Sequence, residues 1–483
     1  MSIKAISTNI GKALLINALF MLISIGISIW NGMDSALTPL VISFLVTFIT
    51  GIFPFIFVKR PPRTSIQSGF LTIVLAWFLS FIFGMLPYVL WGGEFTLINA
   101  WFESVSGYTT TGSTILNDIE ALPKSLLFWR SSTHFIGGLG VIVFLLMILP
   151  DSSPAKLKLT HLELSSLSKE GYRYKTRTTT RVMISVYLGL ALAETLLLWA
   201  AGMTPFDAVN HSFSTVATGG FSTKNLSIMY YDSVAIDLII TVFMALSGMH
   251  FGVLFAIIAK RSFKPLKHSV SRYYFCVIAI SGVIIALSLK FQGGYVSWGK
   301  AILDSTFQTV SYITTTGFGQ ADNAAWPLLA NTVLLFAAFH CGCSGSTTGG
   351  IKADRMFIAF KAIYGDFQKR LHPSSLFRTK VGEKVISDGM VSSVFLYIVL
   401  YMVVIFGSFI LVLLCGTEVS DAFSGTISSM GNVGPGIGNI GTLGNYSAMS
   451  PIVKFIFTID MFLGRVEIFP VLIILSLIFR RHK

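Results

Sequence analysis

The chain has 483 residues, of which 53% are hydrophobic and 12% are charged. Soluble globular domains carry about 25% charged residues, so this composition excludes an ordinary soluble protein and indicates a membrane protein. The formal net charge is +13, and the basic residues lie in clusters. Alternating membrane spans would place all of these clusters on the cytoplasmic side of the membrane, so the positive charge needs no explanation by nucleic-acid binding.

Ten apolar runs are long enough to form membrane-spanning helices, which need about 20 residues each. The runs lie near 13–30, 36–58, 67–91, 126–149, 182–201, 234–259, 273–289, 326–360, 391–415 and 451–479. The first run is too long for the apolar core of a signal peptide, and no clear cleavage site follows it. We therefore predict an all-α integral membrane protein with ten transmembrane helices and both termini in the cytoplasm.

The first two runs predict an N-terminal transmembrane hairpin over residues 1–64. After it, one pattern recurs four times: an apolar run, a short semi-polar segment, a glycine-containing loop and a second apolar run. The predicted pore repeats cover 65–160, 161–268, 269–385 and 386–483. The third repeat is predicted to have a broken second helix.

The four short segments resemble one another. They are NAWFESVSGYTTTG (99–112), DAVNHSFSTVATG (207–219), DSTFQTVSYITTTG (304–317) and DAFSGTISSMGNVG (421–434). Each begins with Asn or Asp, which predicts a helix N-cap, and each is too short and too rich in Ser and Thr to span a bilayer. We predict four re-entrant pore helices that enter the membrane from the extracellular face, related by pseudo-fourfold repetition.

The glycine and threonine at the end of each segment suit a potassium filter. Rings of backbone carbonyls can replace the hydration shell of K⁺, and glycine permits the unusual backbone angles that turn carbonyls inward. Aligned with the potassium-channel pattern TVGYG, the loops match at Thr110–Thr114, Ala217–Phe221, Thr315–Gly319 and Asn432–Gly436. The predicted filter residues are Thr110, Thr111, Gly112, Ala217, Thr218, Gly219, Thr315, Thr316, Gly317, Asn432, Val433 and Gly434. The predicted potassium ligands among them are Thr111, Gly112, Thr218, Gly219, Thr316, Gly317, Val433 and Gly434. An ordinary turn would explain any one loop alone, whereas four matched loops favour the filter.

Four longer stretches carry a family resemblance. They are FESVSGYTTTGST, AGMTPFDAVNHSFSTVATGGFST, CGCSGSTTGGIK and MFLGRVEIF. Together they resemble the TrkH/TrkG/KtrB superfamily of potassium transporters over essentially the whole chain, and the length and N-terminal hairpin favour its TrkH branch. In plant relatives that pass sodium, the first filter glycine is a serine, so the intact Gly112 favours potassium.

The apolar run at 326–360 is interrupted by CGCSGSTTGG, which makes a poor continuous helix. A broken helix in a membrane usually lines a cavity, and the resemblance implies a loop that obstructs the pore below the filter. The predicted gate residues of this loop are Cys343, Ser344, Gly345, Ser346, Thr347, Thr348, Gly349 and Gly350. A kinked structural helix with tight packing is the alternative.

Arg465 lies near the middle of the last apolar run. An arginine there costs at least about 2.5 kcal/mol unless it faces protein or water. The resemblance implies that it projects into the pore below the filter as a second barrier. Glu467 lies only two positions away and therefore faces another side of the helix. The alternative role for Arg465 is a structural ion pair with Asp460 or with another helix.

Several other ionisable groups lie within apolar runs or short segments. Glu194, His134, Asp237, His250 and His340 could form a proton relay, although such residues more often hydrogen-bond between helices. Glu103, in the first short segment, is expected either to add negative potential near the pore mouth or to act as a solvated or capping group.

The chain contains no nucleotide-binding motif and no enzyme motif, so we expect neither catalysis nor an organic cofactor on it. The resemblance implies a homodimer in the bacterial cytoplasmic (inner) membrane and a cytosolic TrkA-type nucleotide-binding subunit that controls the gate. The basic loops at 151–181 and 352–388 are plausible docking surfaces, and they also suit anionic lipids. Channel-like potassium uptake is the predicted function. A proton- or sodium-coupled symporter and a non-conducting sensor are the alternatives.

Overall fold

The computed structural model describes residues 3–58, 66–148, 176–372, 378–382 and 384–472. Within these ranges the chain is helical, apart from loops and one small hairpin of β1 (Lys380–Val381) and β2 (Lys384–Val385). Six described helices are long and apolar enough to cross a membrane, or seven if one bent pair is counted as a single span. The ten-span arrangement therefore stays a prediction.

Two helices precede the recurring part of the fold: α1 (Ile3–Trp30) and α2 (Leu37–Phe57). They pack along each other, and α1 also packs against two helices that follow. Asp34, in the turn between them, accepts hydrogen bonds from the hydroxyls of Ser28 (2.6 Å) and Ser125 (2.8 Å). This carboxylate ties the hairpin to the rest of the protein.

From residue 66 onwards, one order of helices recurs four times: a long helix, a short helix, a loop and one or two further helices. The first set is α3 (Ile66–Trp91), α4 (Leu97–Tyr108) and α5 (Lys124–Ile148); the second is α6 (Thr176–Ala200), α7 (Pro205–Val216), α8 (Val234–Ser247) and α9 (Phe251–Lys260). The third set is α10 (Ser269–Phe291), α11 (Trp298–Ile313), α12 (Leu328–Phe339) and α13 (Ala353–Leu371); the fourth is α14 (Asp388–Leu414), α15 (Val419–Gly431) and α16 (Pro451–Val466). Short 3₁₀ turns lie at Ser227–Tyr231, Lys264–Lys267, Asn323–Ala325 and Gly438–Ile440.

Two of the apolar runs are broken where the sequence predicts one continuous helix. The run at 234–259 forms α8 and α9, which are bent by 104°. His250 caps α9 by accepting a hydrogen bond from the Gly252 amide (2.9 Å), so the break is stabilised locally. The last run breaks at Glu467, whose φ is +66°, and helical backbone resumes at 468. Both breaks involve residues that a hydropathy pattern does not distinguish.

The short helices begin earlier than predicted. The N-cap residues are Thr96, Thr204, Ser297 and Glu418, so the expected caps Asn99, Asp207, Asp304 and Asp421 lie inside their helices. Thr96 and Thr204 accept hydrogen bonds from the amides of Asn99 and Asp207, three residues later. In these two helices the prediction was wrong because a Thr three residues before the Asn or Asp satisfies a free amide itself, whereas Ser297 and Glu418 make no side-chain cap hydrogen bond.

The four short helices are arranged in a closed ring. Each packs against the long helix before it and against the helix that follows the loop of the preceding set: α7 against α5, α11 against α8, α15 against α12 and α4 against α16. The last contact joins the end of the chain to its beginning. The ring therefore brings the four loops that follow the short helices to one centre.

Candidate ion-binding site

We define loop 1 as residues 109–114, loop 2 as 217–222, loop 3 as 314–319 and loop 4 as 431–436. All four follow the same backbone path. The second residue of each loop has a left-handed conformation: Thr110 (φ 53°), Thr218 (57°), Thr315 (55°) and Asn432 (55°). The fourth residue of each is a glycine with positive φ: Gly112 (82°), Gly220 (80°), Gly317 (79°) and Gly434 (103°). A β-branched residue rarely adopts such a backbone, so the three threonines hold a strained and specific path.

This common path changes the alignment of loop 2 by one residue. The sequence aligns Gly219 with Gly112, but the structure places Gly220 there, so Thr218–Ser222 replaces Ala217–Phe221. Ala217 corresponds instead to Thr109, the first residue of loop 1. With this change the glycine follows the first Asn or Asp by 13 residues in all four repeats.

The four loops contact one another in chain order around the centre. A Cβ atom placed on Gly112 would lie 2.0 Å from the carbonyl oxygen of Gly219, and one on Gly220 would lie 2.1 Å from that of Thr316. A Cβ atom on Gly317 would lie 2.0 Å from the carbonyl oxygen of Val433. One on Gly434 would lie 2.4 Å from that of Thr111, and this contact completes the ring. Only glycine leaves room for these approaches.

The carbonyl oxygens in these contacts belong to Thr111, Gly219, Thr316 and Val433. None of the four accepts a hydrogen bond from the described residues. Buried carbonyl oxygens normally have a partner, so oxygens left free in a ring are suited to bind a cation. The Gly434 carbonyl differs, because it accepts hydrogen bonds from Ser113 and Tyr446 (both 3.0 Å).

A cavity of about 60 Å³ opens onto one end of the ring and is lined by all four loop glycines. Its wall includes Asn225, which donates a hydrogen bond to Asp118 (2.8 Å) in the segment between α4 and α5. This bond lowers the pKa of the Asp118 carboxyl below its ordinary value and favours its charged form. The wall of this cavity is therefore polar, and its charged residues are the cations Arg130 and Lys224.

Glu103 and Arg130 form a buried ion pair behind loops 1 and 2, at 2.6 Å. Glu103 also accepts hydrogen bonds from the Thr114 hydroxyl (3.0 and 3.1 Å) and the Ile115 amide (3.1 Å). Arg130 donates to the Ser222 carbonyl (3.1 Å). The expectation that Glu103 adds charge at the pore mouth or is solvated was therefore wrong. Glu103 is buried, and its ion pair with Arg130 holds loops 1 and 2 in place.

His134 supports loop 2 by packing. Its ring stacks on Phe221 with a centroid distance of 4.0 Å, and the guanidinium of Arg130 lies 3.8 Å from the centre of the same phenyl ring. A Cβ atom on Gly219 would lie 2.4 Å from the His134 ring. Loop 2 is thus held between an aromatic face and a buried cation.

Residues 340–352, between α12 and α13, form a non-helical segment at the other end of the ring. Its Thr347 hydroxyl donates to the Val216 carbonyl (2.9 Å), and its Gly349 amide donates to the Thr315 hydroxyl (3.0 Å). A Cβ atom on Gly349 would lie 2.5 Å from the side-chain oxygen of Asn432. The 340–352 segment therefore contacts the end of α7, loop 3 and loop 4 together.

The break between α8 and α9 anchors the 340–352 segment. The Cys343 amide donates to the Gly248 carbonyl (2.8 Å), and the Phe251 amide donates to the Gly345 carbonyl (3.1 Å). The Ser344 amide donates to Asp354 (3.1 Å). Two backbone hydrogen bonds and one to a carboxylate thus hold the first part of the predicted gate, and they come from two neighbouring parts of the fold.

Arg465 is buried and reaches the same segment. Its guanidinium donates to the carbonyl oxygens of Thr347 (2.5 Å) and of Gly137 in α5 (3.0 Å). The acidic groups nearest in sequence have other partners: Asp460 accepts from Ser408 (2.6 Å), and Glu467 pairs with Arg355 (2.8 Å). Arg465 therefore joins the 340–352 segment to α5.

The remaining ionisable groups do not form a continuous chain. Within the described residues, no hydrogen bond joins any two members of the set Glu194, His134, Asp237, His250 and His340. His134 contacts Ser214 (3.2 Å), and Asp237 contacts Gln320 (3.1 Å). Of the predicted docking loops, 151–175, 373–377 and 383 lie outside the described residues.

Comparison with known proteins gives a consistent set of matches. The family model TrkH, described as a cation transport protein, matches residues 41–481. The Trk system potassium uptake protein TrkH of Escherichia coli (strain K12) is 33% identical over 88% of this chain and 88% of its own length. The protein of that name from Halomonas elongata is 32% identical over 100% of both chains. The crystal structure of the potassium transporter TrkH from Vibrio parahaemolyticus superposes with a TM-score of 0.88 at 31% identity, covering 98% of this chain and 99% of that one.

Proposed function

The chain belongs to the TrkH family of cation transport proteins, and from this premise we propose that it conducts potassium into the cell through a channel-like pore. It is a multi-pass membrane protein and a potassium uptake transporter of the Trk family, whose members are transporters rather than enzymes. Uptake down the electrochemical gradient is driven by the membrane potential, which supplies about 2.3 kcal/mol per charge per 100 mV.

The observation that carries this proposal is the ring of free carbonyl oxygens. Four loops with one backbone path close on each other, and each presents a carbonyl oxygen beside the neighbouring glycine. Neutral carbonyls bind a dehydrated K⁺ without the strong field of carboxylates, which would hold the ion too tightly to release it. We assign the filter to Thr110–Gly112, Thr218–Gly220, Thr315–Gly317 and Asn432–Gly434.

The membrane arrangement is part of the proposal. An N-terminal hairpin (1–64) precedes four pore repeats at 65–160, 161–268, 269–385 and 386–483, with ten spans and α4, α7, α11 and α15 as re-entrant pore helices. The outward apolar side chains of the long helices, such as Leu396 and Val403 on α14, suit contact with lipid. Both termini lie in the cytoplasm of a bacterial cell whose inner membrane holds the protein.

The 340–352 segment and Arg465 form the proposed gate. The segment lies across the inner end of the ring, and the Arg465 guanidinium, hydrogen-bonded to Thr347, adds a fixed positive charge there. A cation leaving the filter meets both steric obstruction and electrostatic repulsion. Movement of the segment away from loop 3 would remove the steric barrier and break its hydrogen bond to Arg465, whose other hydrogen bond is to Gly137 in α5.

The proposed partners are a second copy of this chain and a cytosolic TrkA-type nucleotide-binding subunit. The basic stretches at 151–181 and 352–388 are the proposed docking surfaces for that subunit and for anionic lipid headgroups. α13 starts directly after the 340–352 segment. A partner that displaces α13 would therefore pull on the gate without touching the filter.

Ion flux in proteoliposomes tests the proposal. We expect K⁺ flux to exceed Na⁺ and Li⁺ flux, to rise with voltage and to need no proton or sodium gradient. The variant Gly317→Ser places a side chain against the Val433 carbonyl and should reduce the preference for K⁺ over Na⁺. Saturating flux that stops when a proton or sodium gradient is abolished would establish a symporter instead.

A further inference from the structure

The backbone is strained directly after the pore arginine. Glu467, two residues beyond Arg465, has φ +66° and ψ +150°, a conformation that is essentially confined to glycine. The chain is helical on both sides of it, in α16 and again from 468 onwards. The helix that follows the loop of the first repeat, α5 (Lys124–Ile148), is unbroken, so the repeat itself does not require this break. Such a conformation persists only where its surroundings hold it.

A buried ion pair holds the side chain of Glu467. Both of its carboxylate oxygens accept hydrogen bonds from the guanidinium of Arg355, each at 2.8 Å. Glu467 is 8% exposed and Arg355 is 9% exposed. The guanidinium lies 3.9 Å from the ring centre of Tyr397 on α14, and that ring lies 5.8 Å from the ring of Phe469. Because the pair is shielded from water, removal of one partner leaves a buried charge without its counter-charge.

The break brings two side chains onto the same stretch of chain. Arg465 donates to the carbonyl oxygen of Thr347 (2.5 Å), inside the 340–352 segment. Glu467 binds Arg355, which lies in the first turn of α13, three residues after that segment. In a continuous helix, side chains two positions apart point to different faces. A straight backbone at Glu467 would therefore separate one of the two side chains from its partner.

The 340–352 segment is closed at its base, where α13 begins. The Ala353 amide donates to the Gly342 carbonyl (3.0 Å), and Cys341 and Lys352 form a parallel β-bridge. These contacts join the two ends of the segment to each other. Displacement of α13 would therefore move the segment as a unit rather than unravel it.

We propose that the Glu467–Arg355 pair couples α13 to the pore arginine. The inference rests on the proposed function, in which the 340–352 segment and Arg465 form the gate. While the pair is intact it holds the break, and the break holds Arg465 against Thr347. Displacement of α13 separates Arg355 from Glu467, and the backbone at Glu467 then leaves its strained conformation.

One helix thus acts on both barriers of the gate. Displacement of α13 moves the 340–352 segment through the chain and releases Arg465 through the ion pair. Glu467 and Arg355 are positioning residues, because they act on the conduction path through Arg465.

Basal K⁺ flux tests this coupling in proteoliposomes that hold the full chain without a cytosolic subunit. Glu467→Gln and Arg355→Gln each remove one charge of the pair. Each should raise the flux at least about fivefold, the lower end of the usual range for coupled sites. The double variant leaves no unpaired charge and should conduct like either single variant, not at the product of the two increases. Thermal unfolding in detergent verifies that each variant is folded. The control Asp366→Asn breaks an exposed pair on the same helix (Asp366–Lys369, 3.4 Å) and should not change the flux.

The same substitution in an Arg465→Ala protein separates coupling from a merely structural role. Glu467→Gln should have no further effect there, because the residue through which it acts is absent. Equal fold increases in the two backgrounds would overturn the inference. An unchanged flux in the folded double glutamine variant would also overturn it, while a raised flux in Arg465→Ala alone would leave the proposed gate intact. No increase in Arg465→Ala alone would count against the gate itself and against the coupling with it.

Discussion

The Glu103–Arg130 pair offers the sharpest test of how the ring is held. Glu103→Gln keeps an acceptor for Thr114 and Ile115 but leaves the guanidinium of Arg130 buried without its counter-charge. Removing one partner of a buried ion pair typically costs about 3–5 kcal/mol. Arg130→Met leaves a buried carboxylate instead and should cost a similar amount. Both variants should also lower the K⁺ preference, since the pair contacts loops 1 and 2.

The double variant separates charge from packing. With Glu103→Gln and Arg130→Met together no unpaired charge remains, so the loss should fall below the sum of the single losses by about 1–3 kcal/mol. Thermal unfolding in detergent, followed by tryptophan fluorescence, measures the stabilities, and K⁺ and Na⁺ fluxes measure the selectivity. The exposed pair Asp366–Lys369 (3.4 Å) is the control, and Asp366→Asn should change stability by about 0–1 kcal/mol. Additive single losses, or unchanged selectivity in a destabilised variant, would refute the bracing role.

Three further predictions concern the loops and the gate. Arg465→Ala should raise basal K⁺ flux, because it removes a charge and a bond to the 340–352 segment; an equal or lower flux in well-folded protein would contradict the gate assignment. Gly220→Ala should abolish selective flux, because its φ is +80° and the new Cβ would lie 2.1 Å from a carbonyl of loop 3, whereas Gly189→Ala on α6 meets no atom within 4 Å and should conduct normally. Tyr446→Phe removes a hydroxyl 3.0 Å from the Gly434 carbonyl and should cost about 0.5–1.5 kcal/mol, measured by thermal unfolding.

The repeated loops and their chemistry could be predicted from the sequence because both are local. Asn or Asp followed 12 or 13 residues later by glycine recurs four times, and Thr and Gly have backbone preferences that do not depend on neighbours. The interruption at 342–350 and the isolated Arg465 stand out for the same reason. In an apolar run, a glycine cluster or a single charge is visible without knowledge of the fold.

Only the tertiary structure decided how these parts meet. The sequence alignment chose Gly219 in loop 2, whereas the backbone path and the contact with loop 3 place Gly220 at that position. Glu103 and Arg130 lie 27 residues apart on different helices, so their pairing depends on packing. The helix breaks at 248–250 and 467 depend on hydrogen bonds and ion pairs with distant segments. Hydropathy and propensity describe each residue's own preference, whereas these features arise from partners that folding brings into contact.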